Sequence, residues 1–190
     1  DLAVDGINPN LPVHRPVHRD IAARNGIMTD FGGPYTGFSV HDTTVRNVWL
    51  RGIYSPGSGN VFEFRNNTVD NVNSDPASIG IFNYMGGGVI DGNHVSNAND
   101  AIASNWSTGT IVSNNTITNS GSGVHVDNSA AAANDEIHHN HIDCGATNGY
   151  GIFTFGPYGD VSVHDNDIAA CAVGLGAFAA AYSLRIRNLR

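Results

Sequence analysis

His125 and Asp127 stand two apart in the run Ser122-Gly123-Val124-His125-Val126-Asp127, where apolar and polar residues alternate. In an extended strand that spacing puts both side chains on one side, about 7 Å apart, so that one can accept and the other donate a proton. Histidine titrates nearest neutrality, and Tyr84, two repeats earlier, is a further proton donor. His125, Asp127 and Tyr84 are therefore candidate catalytic residues; a solvated His beside an Asp is the competing reading. Equivalent positions of neighbouring stretches are rich in rings: Tyr54, Phe82, Phe153, Phe155 and Phe178, with Trp106 at the border and Met28, Asp30, Ala103 and Asn105 between them. Rings in rows suit the apolar faces of sugars, and Asn, Asp and His suit the hydroxyls. Tyr54, Phe82, Asn105, Trp106, Phe153, Phe155 and Asp30 are thus candidate substrate contacts, unless a loop or a neighbouring chain covers them.

A second concentration comprises Glu136, His138, His139 and His141, with His164, Asp165 and Asp167 one repeat on. If equivalent positions of successive repeats adjoin, His138 and His164 lie about 5 Å apart, a spacing suited to an imidazole-bound metal. They are weak candidates, because the same column elsewhere holds His41, Arg65, Asp91 and Ser113, an ordinary solvated set.

The elements that must position these groups are written as a repeat. Asp20, Thr43, Asn67, Asn93, Asn115, Asn140 and Asn166 recur at intervals of 23, 24, 26, 22, 25 and 26 residues. Val40, Phe64, Ile90, Val112, Ile137 and Val163 precede that column by three, and Val45, Val69, Val95, Ile117, Ile142 and Ile168 follow it by two. A small residue followed by an aliphatic marks a second column, at Gly6-Ile7, Gly26-Ile27, Gly52-Ile53, Gly80-Ile81, Ala101-Ile102, Gly123-Val124, Gly151-Ile152 and Gly174-Leu175. A period in the twenties fits a leucine-rich repeat or a β-solenoid. Leucine is scarce, no unit carries a helical apolar period, and Val, Ile, Phe and Thr alternate with polar residues between Gly, Asn, Asp and Ser corners, so strands are expected.

Units such as GTIVSNNTITNSGSGVHVDN and YGIFTFGPYGDVSVHDNDIAAC resemble the right-handed parallel β-helix proteins of the pectate-lyase-like superfamily, over roughly Gly6 to Arg187. The resemblance implies an all-β right-handed parallel β-helix of seven to eight coils. It implies a reaction only loosely, because that superfamily includes lyases, hydrolases, epimerases, spikes and binding proteins. A hydrolase needs clustered carboxylates, whereas Asp30 and Asp127 would lie about 14 Å apart. A polyuronate lyase or epimerase needs Arg, Lys or a metal beside its anion, and the outward positions hold no base but His, with Arg24 and Arg51 only flanking the strand starts.

The formal net charge is −8 and none of the nine basic residues is a lysine, which disfavours a nucleic-acid partner. No run is long enough for a transmembrane helix. A polyanion would be repelled unless a cation such as calcium bridged it; calcium is the one cofactor these carboxylates suggest, and none is certain. Stacked asparagines are expected to hydrogen-bond along the column, and the glycosylation-like triplets at Asn66, Asn105 and Asn114 follow from that usage. Cys144 and Cys171, one coil apart, are either two small buried hydrophobes or a disulfide. His14 and His18 fall among Pro9, Pro12 and Pro16, which excludes a helical metal pair and suggests a solvated turn. Extra length at Asp70 to Ser78, after Asn140, and around Ser129 to Ala133 should protrude from corners, the last as one helical turn; Ala177 to Tyr182 fits a helix or a close contact.

The expectation is one domain spanning residues 1–190, part of a longer secreted, cell-surface or periplasmic chain that continues or pairs at its last coil. Its partner is a poly- or oligosaccharide, which it degrades or modifies in the manner of a lyase or hydrolase. The alternative is a non-catalytic glycan-binding or structural rod such as a spike or adhesin segment.

Overall fold

The computed structural model describes residues 2–7, 21, 23–127, 134–145, 149–156, 161–178, 184–188 and 190. The prolines, His14, His18 and Asp20 of the first segment, the run Ser129 to Ala133 and the stretch from Ala179 to Tyr182 lie outside those residues.

Three parallel sheets of seven strands wrap around one core, and no helix occurs among the described residues. Sheet I stacks Leu2–Asp5, Thr43–Arg46, Thr68–Val72, His94–Ala98, Thr116–Thr118, His141–Asp143 and Asp167–Ala169. Sheet II stacks Asn25–Met28, Arg51–Pro56, Ile79–Tyr84, Asp100–Asn105, Ser122–Asp127, Tyr150–Phe155 and Val173–Phe178. Sheet III stacks Thr36–His41, Val61–Arg65, Gly87–Asp91, Thr110–Ser113, Glu136–His138, Val161–His164 and Leu184–Arg187. The chain visits sheets I, II and III in turn, so every strand pairs with its equivalent one rung away. From Leu2–Asp5 to Asp167–Ala169 it makes six full turns, fewer than the seven to eight coils expected. The excess traces to Gly6-Ile7, which opens no sheet II strand: Gly6 follows the first strand of sheet I and donates its amide to Arg46 O, and Ile7 bridges Ile21.

Each column in the sequence has a physical cause. The aliphatics preceding and following the corner are in register along sheets III and I and fill the core, with Phe64, Ile90, Val112, Ile137, Val45, Val69, Val95 and Ile142 fully buried. The small residue marks where one rung's carbonyl crosses the next: a Cβ on Gly80 would come within 2.6 Å of Ala101 O, and one on Gly151 within 2.6 Å of Gly174 O. Ala101 fits in that column fully buried.

Paired corner residues divide the labour. The first, such as Asn66 (φ 54°) or Asn114 (φ 54°), takes the left-handed turn that asparagine tolerates. The second enters the ladder: the backbone amide and Nδ2 of Asn67 both donate to Asn93 Oδ1, at 2.9 and 3.0 Å, and the same pair of bonds links Asn93 to Asn115, Asn115 to Asn140 and Asn140 to Asn166. Thr43 joins through its amide, to Asn67 Oδ1 at 3.1 Å. Each Nδ2 also donates to a core carbonyl, as Asn115 does to Ile90 O at 3.0 Å, so these amides are satisfied although they are buried.

Cys144 and Cys171 are joined by a disulfide, Cα to Cα 4.9 Å, which decides between the two readings of that pair. Closing a loop of 27 residues restricts the unfolded chain enough to stabilise the fold by about 3 kcal/mol. The expected protrusion before Ser78 is a turn pinned by Ser78 N to Asp75 O and by Ser78 Oγ to Trp49 O, 2.8 and 2.7 Å, although Asp70, Asn71 and Val72 still belong to sheet I.

Candidate functional site

The outer face of sheet II carries the candidate residues because strand alternation sends Ile53, Ile81, Ile102, Val124 and Ile152 inward and their neighbours outward. Three outward columns result. One runs Arg51, Ile79, Asp100, Ser122, Tyr150; the next Met28, Tyr54, Phe82, Ala103, His125, Phe153; the third Pro56, Tyr84, Asn105, Asp127, Phe155, Phe178.

The rings form two groups separated by Ala103. In the first, Tyr54 stacks on Phe82 (centroids 4.9 Å, 9° between planes), Phe82 approaches Tyr84 at 6.0 Å, Tyr84 reaches Trp106 at 5.4 Å, and Phe31 meets Tyr54 edge-on at 6.2 Å. Arg51 lies over this group, 4.8 Å from the Phe82 ring and 5.9 Å from that of Tyr54, while donating to Leu50 O and Ala77 O. Burial holds the Arg51 guanidinium below its ordinary value and raises the Tyr54 phenol. Phe82 retains only 6% of its surface. The centre of this group is covered, and the cover on Phe82 includes the protein's own arginine, whereas Phe31 and Trp106 at its margins are exposed.

In the second group His125 stacks on Phe153 (4.4 Å, 25°), and Tyr150, Phe155 and Phe178 surround Phe153 at 5.5, 6.4 and 5.3 Å. Tyr150, Phe153, Phe155 and Phe178 enclose an open apolar cavity of about 220 Å³, and Phe155 keeps 46% of its surface.

The acid and base groups are arranged differently from the simple two-apart pair. Asp100 Oδ2 lies 3.2 Å from His125 Nδ1, and Asp100 Oδ1 accepts from Ser122 Oγ. The tautomer that satisfies Asp100 has the proton on Nδ1 and leaves Nε2 free to accept. Asp127 is half-buried, and burial raises its carboxyl above the usual range, with an opposing pull from His125. Asn105 sits in the same column, and its Oδ1 is buried without a hydrogen-bond partner. Tyr84 is two rungs from Asp127 in that column. Asp30 lies beyond the end of the strand at Met28, where it accepts from Gly32 N at 2.8 Å and from Tyr35 Oη; these bonds hold its carboxyl below the usual range. It therefore stands apart from the other candidates. Asp100, Tyr150 and Arg51 were not singled out as contacts by alternation from the aliphatic, because they precede the small residue at which the alternation resets.

His138 and His164 stack in parallel, 5.1 Å apart and 3° from coplanar. His164 Nε2 is 2.9 Å from Glu136 and its Nδ1 2.8 Å from Asp165, which together raise it, Glu136 foremost. Burial lowers His138, whose Nδ1 meets His139 Nδ1 at 2.7 Å. Both nitrogens of His164 are thus engaged by carboxylates. Among the described residues no three His, Cys, Asp or Glu side chains converge to hold a metal ion, and the carboxylates of the sheet II face, Asp30, Asp100 and Asp127, are dispersed, so nothing here fits a calcium cage.

The fold and its columns define a parallel β-solenoid with one aromatic outer face. A family model described as right handed beta helix region matches residues 25–188, and the chain belongs to that family. No curated protein and no solved structure was found to match.

Proposed function

We propose that the protein engages carbohydrate along the outer face of sheet II, with sugar rings against Tyr150, Phe153 and Phe155 and hydroxyls toward Asn105, His125 and Asp127. The observation that carries this reading is the open cavity among four rings, bordered on the adjacent rung by an acid and a base. Strands repeat about every 4.8 Å, close to the rise of one sugar in an extended glycan, so successive rungs present successive subsites.

A polysaccharide-degrading or -modifying reaction is the specific version. In its hydrolytic form His125, oriented by Asp100, takes at Nε2 the proton of a water whose oxygen bonds the anomeric carbon, and Asp127, kept protonated to higher pH than an ordinary aspartate, gives its proton to the leaving oxygen as the glycosidic bond breaks. Tyr84, half-buried two rungs farther along the same column, is a contact for a sugar two subsites away. The second reading is binding without turnover, favoured by the positions of the two arginines that flank this face: Arg51 lies on Phe82 and bonds Leu50 and Ala77, and Arg24 lies over Trp49, so neither faces the pair.

Incubation with a panel of neutral and acidic polysaccharides tests both. New reducing ends or unsaturated uronate that disappear in Asp127→Asn support the enzyme, retention on immobilised glycan without products supports the binding module, and neither retention nor products refutes carbohydrate engagement.

A further inference from the structure

Opposite the asparagine ladder, where sheet II passes into sheet III, a second polar column runs through the interior. Ser55, Asn83, Ser104 and Thr154 occupy inward positions of sheet II, fully buried. Asn83 Nδ2 donates to Gly86 O at 2.9 Å and lies 3.1 Å from both Ser104 Oγ and Thr110 Oγ1; Ser104 donates to Thr110 at 3.0 Å, and Ser107 and Thr110 share a bond of 2.7 Å. The column reaches Asp135, 1% exposed, whose Oδ1 accepts from Thr110 N at 2.7 Å and whose backbone carbonyl accepts from Ser162 N at 2.8 Å. The carboxyl therefore links its own rung to the one before it, while the bond to Ser162 on the next rung is made by the backbone.

Its second oxygen, Oδ2, is buried with no hydrogen-bond partner. Among the described residues no counter-charge balances it. Asp91 is engaged with Arg65, Ser113 and Asn114, while Glu136, His138 and His164 interact with one another on the outer surface of sheet III. Among the described residues only Ser107 and the Thr110 amide favour its ionised form, and burial outweighs both, pushing the carboxyl to about 7.

We propose that Asp135 is a proton-operated rivet of this corner: as a neutral acid it sits inside the junction between rungs Thr110–Ser113 and Glu136–His138, and its ionisation, which leaves a charge in the interior, favours opening of that junction. The same rung carries His125 and Asp127, so loosening would reach the acid–base pair. The folded carboxyl keeps its proton to higher pH than the unfolded one. The stabilisation is therefore complete below the ordinary aspartate value near 4, declines as pH rises, and is fully lost above about 7.

Hydrogen exchange at the Thr110 amide, corrected for intrinsic rate, reads this directly between pH 5 and 8.5. The local opening constant should rise by up to about tenfold per pH unit to about pH 7 and then level off. Asp135→Asn, which keeps an oxygen for the Thr110 amide, should remove the rise. Parallel profiles in the two proteins would overturn the proposal. If the variant does not fold, the wild-type Asp135 carboxyl carbon decides alone: titration near 7 supports the rivet, and titration near 4 refutes it.

Discussion

The two halves of the aromatic face have similar chemistry, but the central ring is buried in one and part-exposed in the other. Around Phe82, rings stack on one another beneath Arg51, and the central ring is buried. Around Phe153, a histidine and three rings leave an open apolar cavity. The difference shows that a row of aromatic residues does two jobs on a solenoid. Where a long cationic side chain can lie across the row, the rings shield the outer side of the sheet; where the flanking column holds Ser122 and Tyr150 instead of Arg51, the rings stay available to a ligand.

Substitutions can break that contrast. The largest expected effect is Phe82→Ala, which removes a buried ring from between Tyr54 and Tyr84 and should cost about 3 kcal/mol in chemical denaturation while leaving glycan affinity within about twofold. Arg51→Ala should cost less, about 1 to 2 kcal/mol, since it loses the contact with the rings and two backbone hydrogen bonds. Exposing Phe82 should also raise this variant's binding of apolar dyes above that of the wild type. Phe155→Ala inverts the pattern: nearly half exposed, it should change stability by under about 1 kcal/mol but weaken oligosaccharide binding by about tenfold in calorimetric titration. The smallest effect concerns pH. Because burial holds Asp127 above the ordinary carboxylate range, any activity that needs its proton should persist to higher pH than a free aspartate would allow and then fall, and Asp127→Glu, which keeps a carboxyl, should move that limb.

Much of this architecture was legible in the amino-acid order. The ladder Asn67, Asn93, Asn115, Asn140 and Asn166 could be read because one residue type solves one local problem at every rung. Sheet II's inward aliphatics, and therefore the sidedness of Tyr54, Phe82, His125 and Phe153, followed from alternation. What could not be read depends on side-chain reach and on breaks in the alternation. His125 pairs with Asp100 rather than Asp127 because strand neighbours two apart point the same way without touching, whereas the adjacent rung lies within hydrogen-bond range. Arg51 covers Phe82 by the length of its stem. Asp30 was counted as a strand residue, but the strand ends at Met28 and the carboxylate turns back on Gly32 and Tyr35. The interior column of Ser55, Asn83, Ser104, Thr110 and Asp135 mixes four residue types at one corner, so no one type marks every rung.

The central claim, that the open half of the face holds sugar, is tested most directly by titrating a series of neutral oligosaccharides into the wild type, Phe153→Ala and Phe82→Ala. The predicted result is binding that strengthens with chain length, falls at least about tenfold in Phe153→Ala, and is nearly unchanged in folded Phe82→Ala. Absence of binding in the wild type, or equal affinity in Phe153→Ala, would contradict it.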